Sequence, residues 1–266
     1  MSVKTAIVTG STKGIGRALA EALLARGVNV VISAPDAAEA QSCAASIPTS
    51  DARAIGLGCD VASREQLDRL WQVASDAFGA VDIWVNNAGL ALTGEAVSTL
   101  GETEFRQMLD INLVGTLLGC QVAIAGMHKH GGAIYNMLGA GADGMPVPRM
   151  AGYATSKAAV TFLTRSLAAE LQGGPILVGA LSPGLVITEG FLREHARTAA
   201  ADRPAREKIV NIMGDHPATT GAWAARIVDT NVRHGRVFTW LTKAKIRHRA
   251  AQQPPRDVLS SYQDPL

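Results

Sequence analysis

Cysteine is scarce in this sequence: Cys43, Cys59 and Cys120 are the only three in 266 residues. They are scattered and odd in number, which excludes a disulfide framework and a zinc site and fits a reducing compartment. Net charge is scarce too, at +2, too little to argue for a nucleic-acid partner. Long apolar runs are missing. The longest uncharged stretch, 111–127, has 17 residues but contains Asn112, Thr116 and Gln121, so it reads as a buried helix and not a membrane span. Met1-Ser2-Val3-Lys4-Thr5 leads straight into a strand pattern, so no signal peptide is expected and the expected location is the cytoplasm. No repeat and no linker interrupts the chain before residue 185. What remains is 47% apolar and 18% charged, which excludes disorder. The length suffices for one large α/β domain, expected to span 1–266.

The apolar, β-branched run 5–9 predicts a buried strand. It ends in Gly10-Ser11-Thr12-Lys13-Gly14-Ile15-Gly16, followed by helical periodicity at Ile15, Leu19 and Leu23 that closes at Gly27. Strand, glycine-rich turn and helix form the context of a dinucleotide site. The glycines allow a tight turn and close approach to a pyrophosphate, and the helix N-terminus presents free N–H groups to that anion. The second strand, 29–33, ends in Ser33-Ala34-Pro35 where an acid would grip an NAD ribose, and Asp36 comes a little late. Lys13 is well placed for a 2′-phosphate, or is simply solvated. Together these favour NADP(H) over NAD(H).

A small helix at 38–46 precedes a third strand at 53–58. Asp60 either accepts a hydrogen bond from an adenine amino group or caps the next helix with Ser63, whose Ser63-Arg64-Glu65-Gln66 run is a capping-box pattern. A fourth strand, 81–85, ends in Asn86-Asn87-Ala88-Gly89. One long helix is expected over 103–127, with Asn112 among apolar neighbours, where a lone Asn is usually a satisfied core amide. A fifth strand, 132–137, leads into the side-chain-poor loop Leu138-Gly139-Ala140-Gly141-Ala142-Asp143-Gly144. A sixth strand, 175–181, is followed by Ser182-Pro183-Gly184-Leu185-Val186-Ile187-Thr188. This alternation predicts a doubly wound parallel sheet of about seven strands with helices on both faces, of Rossmann type.

Tyr153 and Lys157 stand four apart on a helical pattern and so share a face. A neighbouring ammonium favours the phenolate, which would bring the Tyr153 pKa toward the range of a general acid or base. The plain alternative is an exposed aromatic beside an exposed lysine. The charged stretch 189–217, over the site end of the sheet, reads as a lid or substrate loop. The segment 233–256 carries seven Lys or Arg and no acid. With the tail at 242–266 it is either solvated or a grip on anionic groups, whether substrate carboxylates, a membrane surface touched peripherally, or a partner.

With these pieces in order, the chain resembles the short-chain dehydrogenase/reductase family over nearly its whole length. The residues that carry the resemblance are Thr9 to Gly16, Asp60-Val61, Asn86-Asn87-Ala88-Gly89, Asn112, Tyr153 with Lys157, and Pro183-Gly184 with Thr188. The resemblance implies an NAD(P)-dependent oxidoreductase acting on a small-molecule carbonyl. Tyr153 would exchange a proton with the substrate oxygen. Lys157 would lower the Tyr153 pKa and hold the nicotinamide ribose, and Asn112 would anchor a relay water. The implied cofactor contacts are Gly10, Ser11, Thr12, Lys13, Gly14, Ile15, Gly16, Asp60, Val61, Asn87, Ala88, Gly89, Tyr153, Lys157, Pro183, Gly184, Val186 and Thr188. The family also implies a homodimer or homotetramer.

One departure stands out. The family places a Ser shortly before the Tyr to hydrogen-bond the substrate carbonyl. Here the position is Gly139, or Ala140 by counting back, and no Ser or Thr lies between Asn136 and Tyr153. A backbone N–H substitutes, or the substrate is reactive enough to do without, or the protein is a non-catalytic NADP-binding protein. The same loop, 131–144 with Pro146, Pro148, Arg149 and Tyr153, is similar to the chlorophyll b reductases, which also lack that Ser. That similarity implies NADPH-dependent reduction of the 7-formyl group of chlorophyll b or chlorophyllide b, or of a related bulky aldehyde. The subgroup commonly has an acid where this chain has Leu138. A generic ketoreductase or alcohol dehydrogenase of the same family is the alternative. The Gly/Ala loop is expected to leave room for a wide, flat substrate.

Overall fold

The computed structural model describes residues 3–260 and Tyr262. Met1 and Ser2 of the expected lead-in, and tail residues 261 and 263–266, lie outside the described residues. The chain begins β1 (Thr5–Val8), α1 (Gly14–Leu24), β2 (Asn29–Ala34), α2 (Ala37–Ser46), β3 (Ala54–Gly58), α3 (Arg64–Phe78) and β4 (Ile83–Asn86). It continues with α4 (Glu102–Leu109), α5 (Gly115–Met127), β5 (Gly132–Met137), α6 (Ala151–Glu170) and β6 (Ile176–Ser182). The remainder is β7 (Leu185–Val186), α7 (Glu189–Ala196), α8 (Arg203–Met213), β8 (Gly214–Asp215), α9 (Pro217–Thr230), β9 (Arg236–Thr239) and α10 (Lys243–Ala250). Seven strands pair in the order β3-β2-β1-β4-β5-β6-β9, all parallel. The expected doubly wound sheet is therefore present, and the strand order reverses between β1 and β4. Such a switch point opens a crevice at the carboxyl ends of the strands, where α/β sheets bind ligands.

Both faces of the sheet are covered, which explains why the strands read as continuous apolar runs. Ala6, Val8, Val30 and Ile32 pack with Leu19 and Leu23 of α1 and with Ala224 and Val228 of α9. Ile7, Val31, Trp84 and Ile134 face the other way, onto Leu67 and Leu70 of α3 and Cys120 and Met127 of α5. Helices α1 and α9 touch so closely that a Cβ on Gly221 would lie 2.7 Å from Ala18 Cβ.

The long helix expected over 103–127 is not uniform. Between α4 and α5 the backbone widens into one π-turn, Asp110–Val114, with Asn112 inside it. One extra residue in a helical turn leaves the apolar pattern nearly intact, so periodicity does not reveal it. By length and composition the span Glu102–Met127 could cross a membrane, but here Cys120, Val122, Ala123 and Met127 are packed on the sheet. The capping box expected at Ser63 is half formed. Ser63 Oγ accepts from the Gln66 amide at 3.4 Å, while Gln66 Oε1 reaches back to the Asp60 amide at 2.8 Å.

The charged stretch 189–217 is mostly regular structure: α7, α8 and β8, which pairs with β7 as a small second sheet. Its apolar side buries Ile187 and Val210 against Val258 of the tail. The basic tail is thereby docked. Arg249 and Arg256 both donate to Asp215 Oδ1, at 2.8 and 3.2 Å, and the Trp240 indole donates to Oδ2 at 2.6 Å. Lys245 Nζ lies 3.0 Å over the Trp240 ring. For these residues both expectations, a solvated tail and a free anion grip, are corrected: the buried carboxylate of Asp215 gathers them onto β8.

Candidate active site

The glycine-rich turn lies at the carboxyl end of β1. Gly10 and Gly14 adopt φ of 60° and 56°, a region that L-residues with side chains rarely enter. A Cβ on Gly10 would meet Ala88 Cα at 2.8 Å, and one on Gly14 would meet Thr188 Cγ2 at 3.0 Å. The turn thus touches two other predicted segments, the loop after β4 and the start of α7. The first turn of α1 has no side-chain cap, so its N–H groups face the crevice unengaged by a side chain, as an anion site requires. These features fit a dinucleotide pyrophosphate.

The other predicted cofactor residues divide into those that face this crevice and those that build it. Ser11 is fully buried; its hydroxyl donates to Val8 O at 2.6 Å and accepts from the Ser33 amide at 3.1 Å. Thr9 Oγ1 accepts from the amides of Asn87 and Ala88, both at 3.0 Å, and Asn87 Nδ2 donates to the carbonyls of Thr9 and Gly10, both at 2.9 Å. These contacts lock the two loops together. Gly16 is likewise structural, because a Cβ there would collide with Asn87 Nδ2 and the Gly10 carbonyl. Val61 is buried and packs on α5, where a Cβ on Gly115 would meet it at 2.8 Å. Asp60 is exposed, and its carboxylate accepts from the Ala62 amide at 2.9 Å. Pro183 and Gly184, with Gly184 at φ 79°, turn the chain from β6 into β7 and its buried Val186. Thr188 caps α7 through the Phe191 amide at 3.2 Å.

Lys13 has a partner on a neighbouring helix. It pairs with Glu39 of α2 at 3.0 Å, although it remains 64% exposed. The Thr12 hydroxyl and Lys13 hold the Glu39 carboxyl below its ordinary range. Glu39 carries no motif signal and was missed by sequence reasoning.

Asn112, Tyr153 and Lys157 converge as expected, through a residue that sequence reasoning passed over. Asn112 Oδ1 accepts from the Leu90 amide at 2.7 Å, and Asn112 Nδ2 donates to Leu90 O and to Ser156 Oγ, both at 2.9 Å. Ser156 Oγ in turn donates to the Tyr153 carbonyl at 2.7 Å. Both amide protons of Asn112 are therefore spent on the protein. Lys157 is buried, donates to the Met137 carbonyl at 3.1 Å, and stands 5.8 Å from the centre of the Tyr153 ring. A Cβ on Gly89 would lie 3.3 Å from Asn112 Oδ1 and 3.5 Å from Lys157 Nζ, so the predicted Gly89 joins the same cluster.

The expected lowering of the Tyr153 pKa is reversed. Burial, and then the Glu194 carboxylate of α7, push the phenol up to about 12, and burial brings Lys157 down to about 8. Desolvation of both groups outweighs the attraction between them. Glu194 is itself held by Thr93, whose hydroxyl donates to it at 2.7 Å, and this bond ties α7 to the loop after β4.

Of the two positions expected for the missing Ser, Gly139 lies against the Tyr153 ring. A Cβ there would collide with the Tyr153 hydroxyl and lie 2.9 Å from Cζ of that ring. Two positions of this loop are closely packed: 139 by Tyr153, and 141 by Ala154, whose Cα would be 2.8 Å from a Cβ on Gly141.

A family model described as "short chain dehydrogenase" matches residues 4–198. The chain is 37% identical over 217 residues to the chlorophyll(ide) b reductase NOL of Oryza sativa subsp. japonica, covering 79% of this chain but 62% of that protein. It thus spans less than two thirds of that relative's length. It is also 37% identical over 229 residues to 3beta-hydroxysteroid dehydrogenase 1 of Eggerthella lenta, covering 84% and 86% of the two chains. Among solved structures, a short-chain type dehydrogenase/reductase from Mycobacterium marinum superposes with a TM-score of 0.79 at 28% identity, covering 90% of this chain and 94% of that one.

Proposed function

The chain belongs to the short-chain dehydrogenase family of NAD(P)-dependent oxidoreductases, and from that premise we propose that it reduces the carbonyl of a bulky ring-bearing substrate, a formyl tetrapyrrole of the chlorophyllide b kind, with NADPH. The observation that carries this reading is the cluster of Tyr153, Lys157, Ser156 and Asn112 at the carboxyl end of the sheet, beside a glycine turn built for a pyrophosphate. The nicotinamide cofactor, when bound, supplies the hydride. The chain's own residues do the rest. Tyr153, kept protonated by burial, donates its phenolic proton to the oxygen that gains charge. Lys157 holds a positive charge beneath the ring at neutral pH and offers its remaining N–H groups to the ribose side. Asn112 and Ser156 fix the first turn of α6 so that the phenol keeps its aim.

The substrate assignment draws on the similarity to the rice chlorophyll(ide) b reductase NOL and on the absence of a Ser, which suits a reactive formyl group. A hydroxysteroid-type ring alcohol or ketone is a second reading, supported by the Eggerthella lenta relative that this chain covers over most of its length. NADP(H) is favoured because β2 ends without a free acid: Asp36 caps α2 through the amides of Ala38 and Glu39. In this reading 1–266 work as one domain in the cytoplasm, as the three buried free cysteines suit, and α7 and α8 form the substrate lid. Exposed Val114, Leu117 and Phe162 on the α5–α6 side suit a homodimer or homotetramer.

The test is NADPH oxidation with chlorophyllide b, following the cofactor and the pigment absorption bands together, beside a panel of 3-keto- and 3-hydroxysteroids. Formation of the 7-hydroxymethyl pigment supports the first reading. Steroid turnover without pigment turnover selects the second.

A further inference from the structure

We infer that Gly139 is a positioning residue for Tyr153: the absent side chain at 139 provides the volume in which the Tyr153 hydroxyl is seated, so a single hydroxyl stands where the resemblance leads one to expect a Ser and a Tyr side by side. This rests on the reading of Tyr153 as the proton donor. The geometry that carries it fixes both the seat of the hydroxyl and the helix that bears the ring. A Cβ at 139 would collide with Tyr153 Oη and lie 2.9 Å from Cζ and 3.0 Å from Cε1. Gly139 is not among the glycines with positive φ, so its backbone would accept any residue, and it is Tyr153 that excludes a side chain. Helix α6 has no slack with which to withdraw. A Cβ on Gly152 would meet Met108 Cε at 2.8 Å and Leu100 Cδ2 at 2.9 Å, and the loop side is closed by Gly141 against Ala154. Arg149, just before α6, is pinned from the other direction: its Nε donates to Gly94 O at 2.6 Å and its carbonyl accepts from the Gly94 amide at 2.7 Å.

A serine placed at 139 therefore cannot add a second donor to the present arrangement. It must turn the phenol outward into the crevice, away from its aim and into better-solvated surroundings. The obstacle is the far end of a side chain and not backbone, so the variants remain foldable.

The experiment uses the full-length protein and the variants Gly139→Ala and Gly139→Ser, with thermal unfolding to check that each is folded. The first readout needs no substrate: ultraviolet titration of the Tyr153 phenolate, isolated from Tyr135 and Tyr262 by subtracting Tyr153→Phe. The expected result is that Gly139→Ala ionises near the ordinary tyrosine value of about 10, with a dissociation constant roughly tenfold or more above wild type. An unchanged titration overturns the inference. The second readout is NADPH-dependent turnover, where both variants are expected to lose roughly tenfold or more in kcat, on the scale of one misplaced donor, with NADPH affinity unchanged. A Gly139→Ser variant as active as wild type, or more so, overturns the inference as well. Full turnover by Tyr153→Phe would instead defeat the reading of Tyr153 as proton donor, and the substrate-free titration would still decide how residue 139 seats the phenol.

Discussion

Asn112 meets the backbone of Leu90 through both of its polar atoms, accepting from its amide at 2.7 Å and donating to its carbonyl at 2.9 Å. A side chain thereby pairs with a loop much as a neighbouring strand would, and it does so from within the π-turn at Asp110–Val114. Removing the amide leaves the Leu90 N–H, the Leu90 carbonyl and the Ser156 hydroxyl short of a partner. Asn112→Ala is expected to cost roughly 1–3 kcal/mol of stability, the scale of buried groups left unsatisfied, and to lower kcat through the loosened start of α6. Urea unfolding and steady-state kinetics check both. Unchanged unfolding midpoints would mean that the loop is held some other way.

Lys13 and Glu39 set the second prediction. A carboxylate beside the lysine competes with the 2′-phosphate that the lysine would otherwise receive. Glu39→Gln is expected to tighten NADPH binding severalfold and to leave NADH nearly unchanged, while Lys13→Ala weakens NADPH alone. The pair is largely solvated, so little effect on stability is expected. Cofactor fluorescence titrations distinguish the outcomes. Equal effects on both cofactors would place this pair away from the 2′-position.

A third prediction concerns pH. Lys157 titrates at about 8 when folded and at about 10.4 in an unfolded chain. Between those values the unfolded state binds more protons, so stability rises with pH. Tyr153 runs the other way: its folded value of about 12 lies above the ordinary value of about 10, so stability falls as pH climbs past 10. The cofactor-free protein is thus expected to gain stability from about pH 8 toward pH 10 and then lose it. Lys157→Met should remove the rise, increase stability at pH 7, and lose turnover. A wild-type denaturation midpoint that is flat across this range would contradict the burial assigned to the ammonium.

Asp215 gives a fourth. It is nearly buried and receives Arg249, Arg256 and the Trp240 indole. Asp215→Ala would strand two guanidinium groups, and breaking such a cluster from one side typically costs about 3–5 kcal/mol. The expected signs are early tryptic cleavage in α10, a lower melting temperature and a raised KM, with cofactor affinity largely kept because the glycine turn lies elsewhere. Protease resistance equal to wild type would show that Val258 and its apolar neighbours hold the tail without the charge cluster.

How much of this was legible in the sequence follows from which interactions are local. Strands buried on both faces write continuous apolar runs, and Gly10, Gly14 and Gly16 mark a turn by their spacing alone. The sheet, the crevice and the Tyr153–Lys157 pair could therefore be read directly. Glu39, Glu194 and Asp215 could not, because each gains its meaning from a partner on another element and none sits in a periodic pattern. Ser156 was in view within the motif, yet its task depends on Asn112, which lies 44 residues away in the chain. At Gly139 the sequence shows that a side chain is missing; only the packing shows what takes its place.

The docked tail has a consequence for the order in which the protein is made. Every strand up to β6, the glycine turn and the Tyr153 helix lie upstream of the residues that anchor β8 and its neighbours, namely Trp240, Arg249, Arg256 and Val258. A chain still emerging from the ribosome has the sequence of its glycine turn and Tyr153 helix before it has the fastenings of α7 and α8. The residues that fasten α7 and α8 are thus among the last to be made, after the glycine turn and the Tyr153 helix.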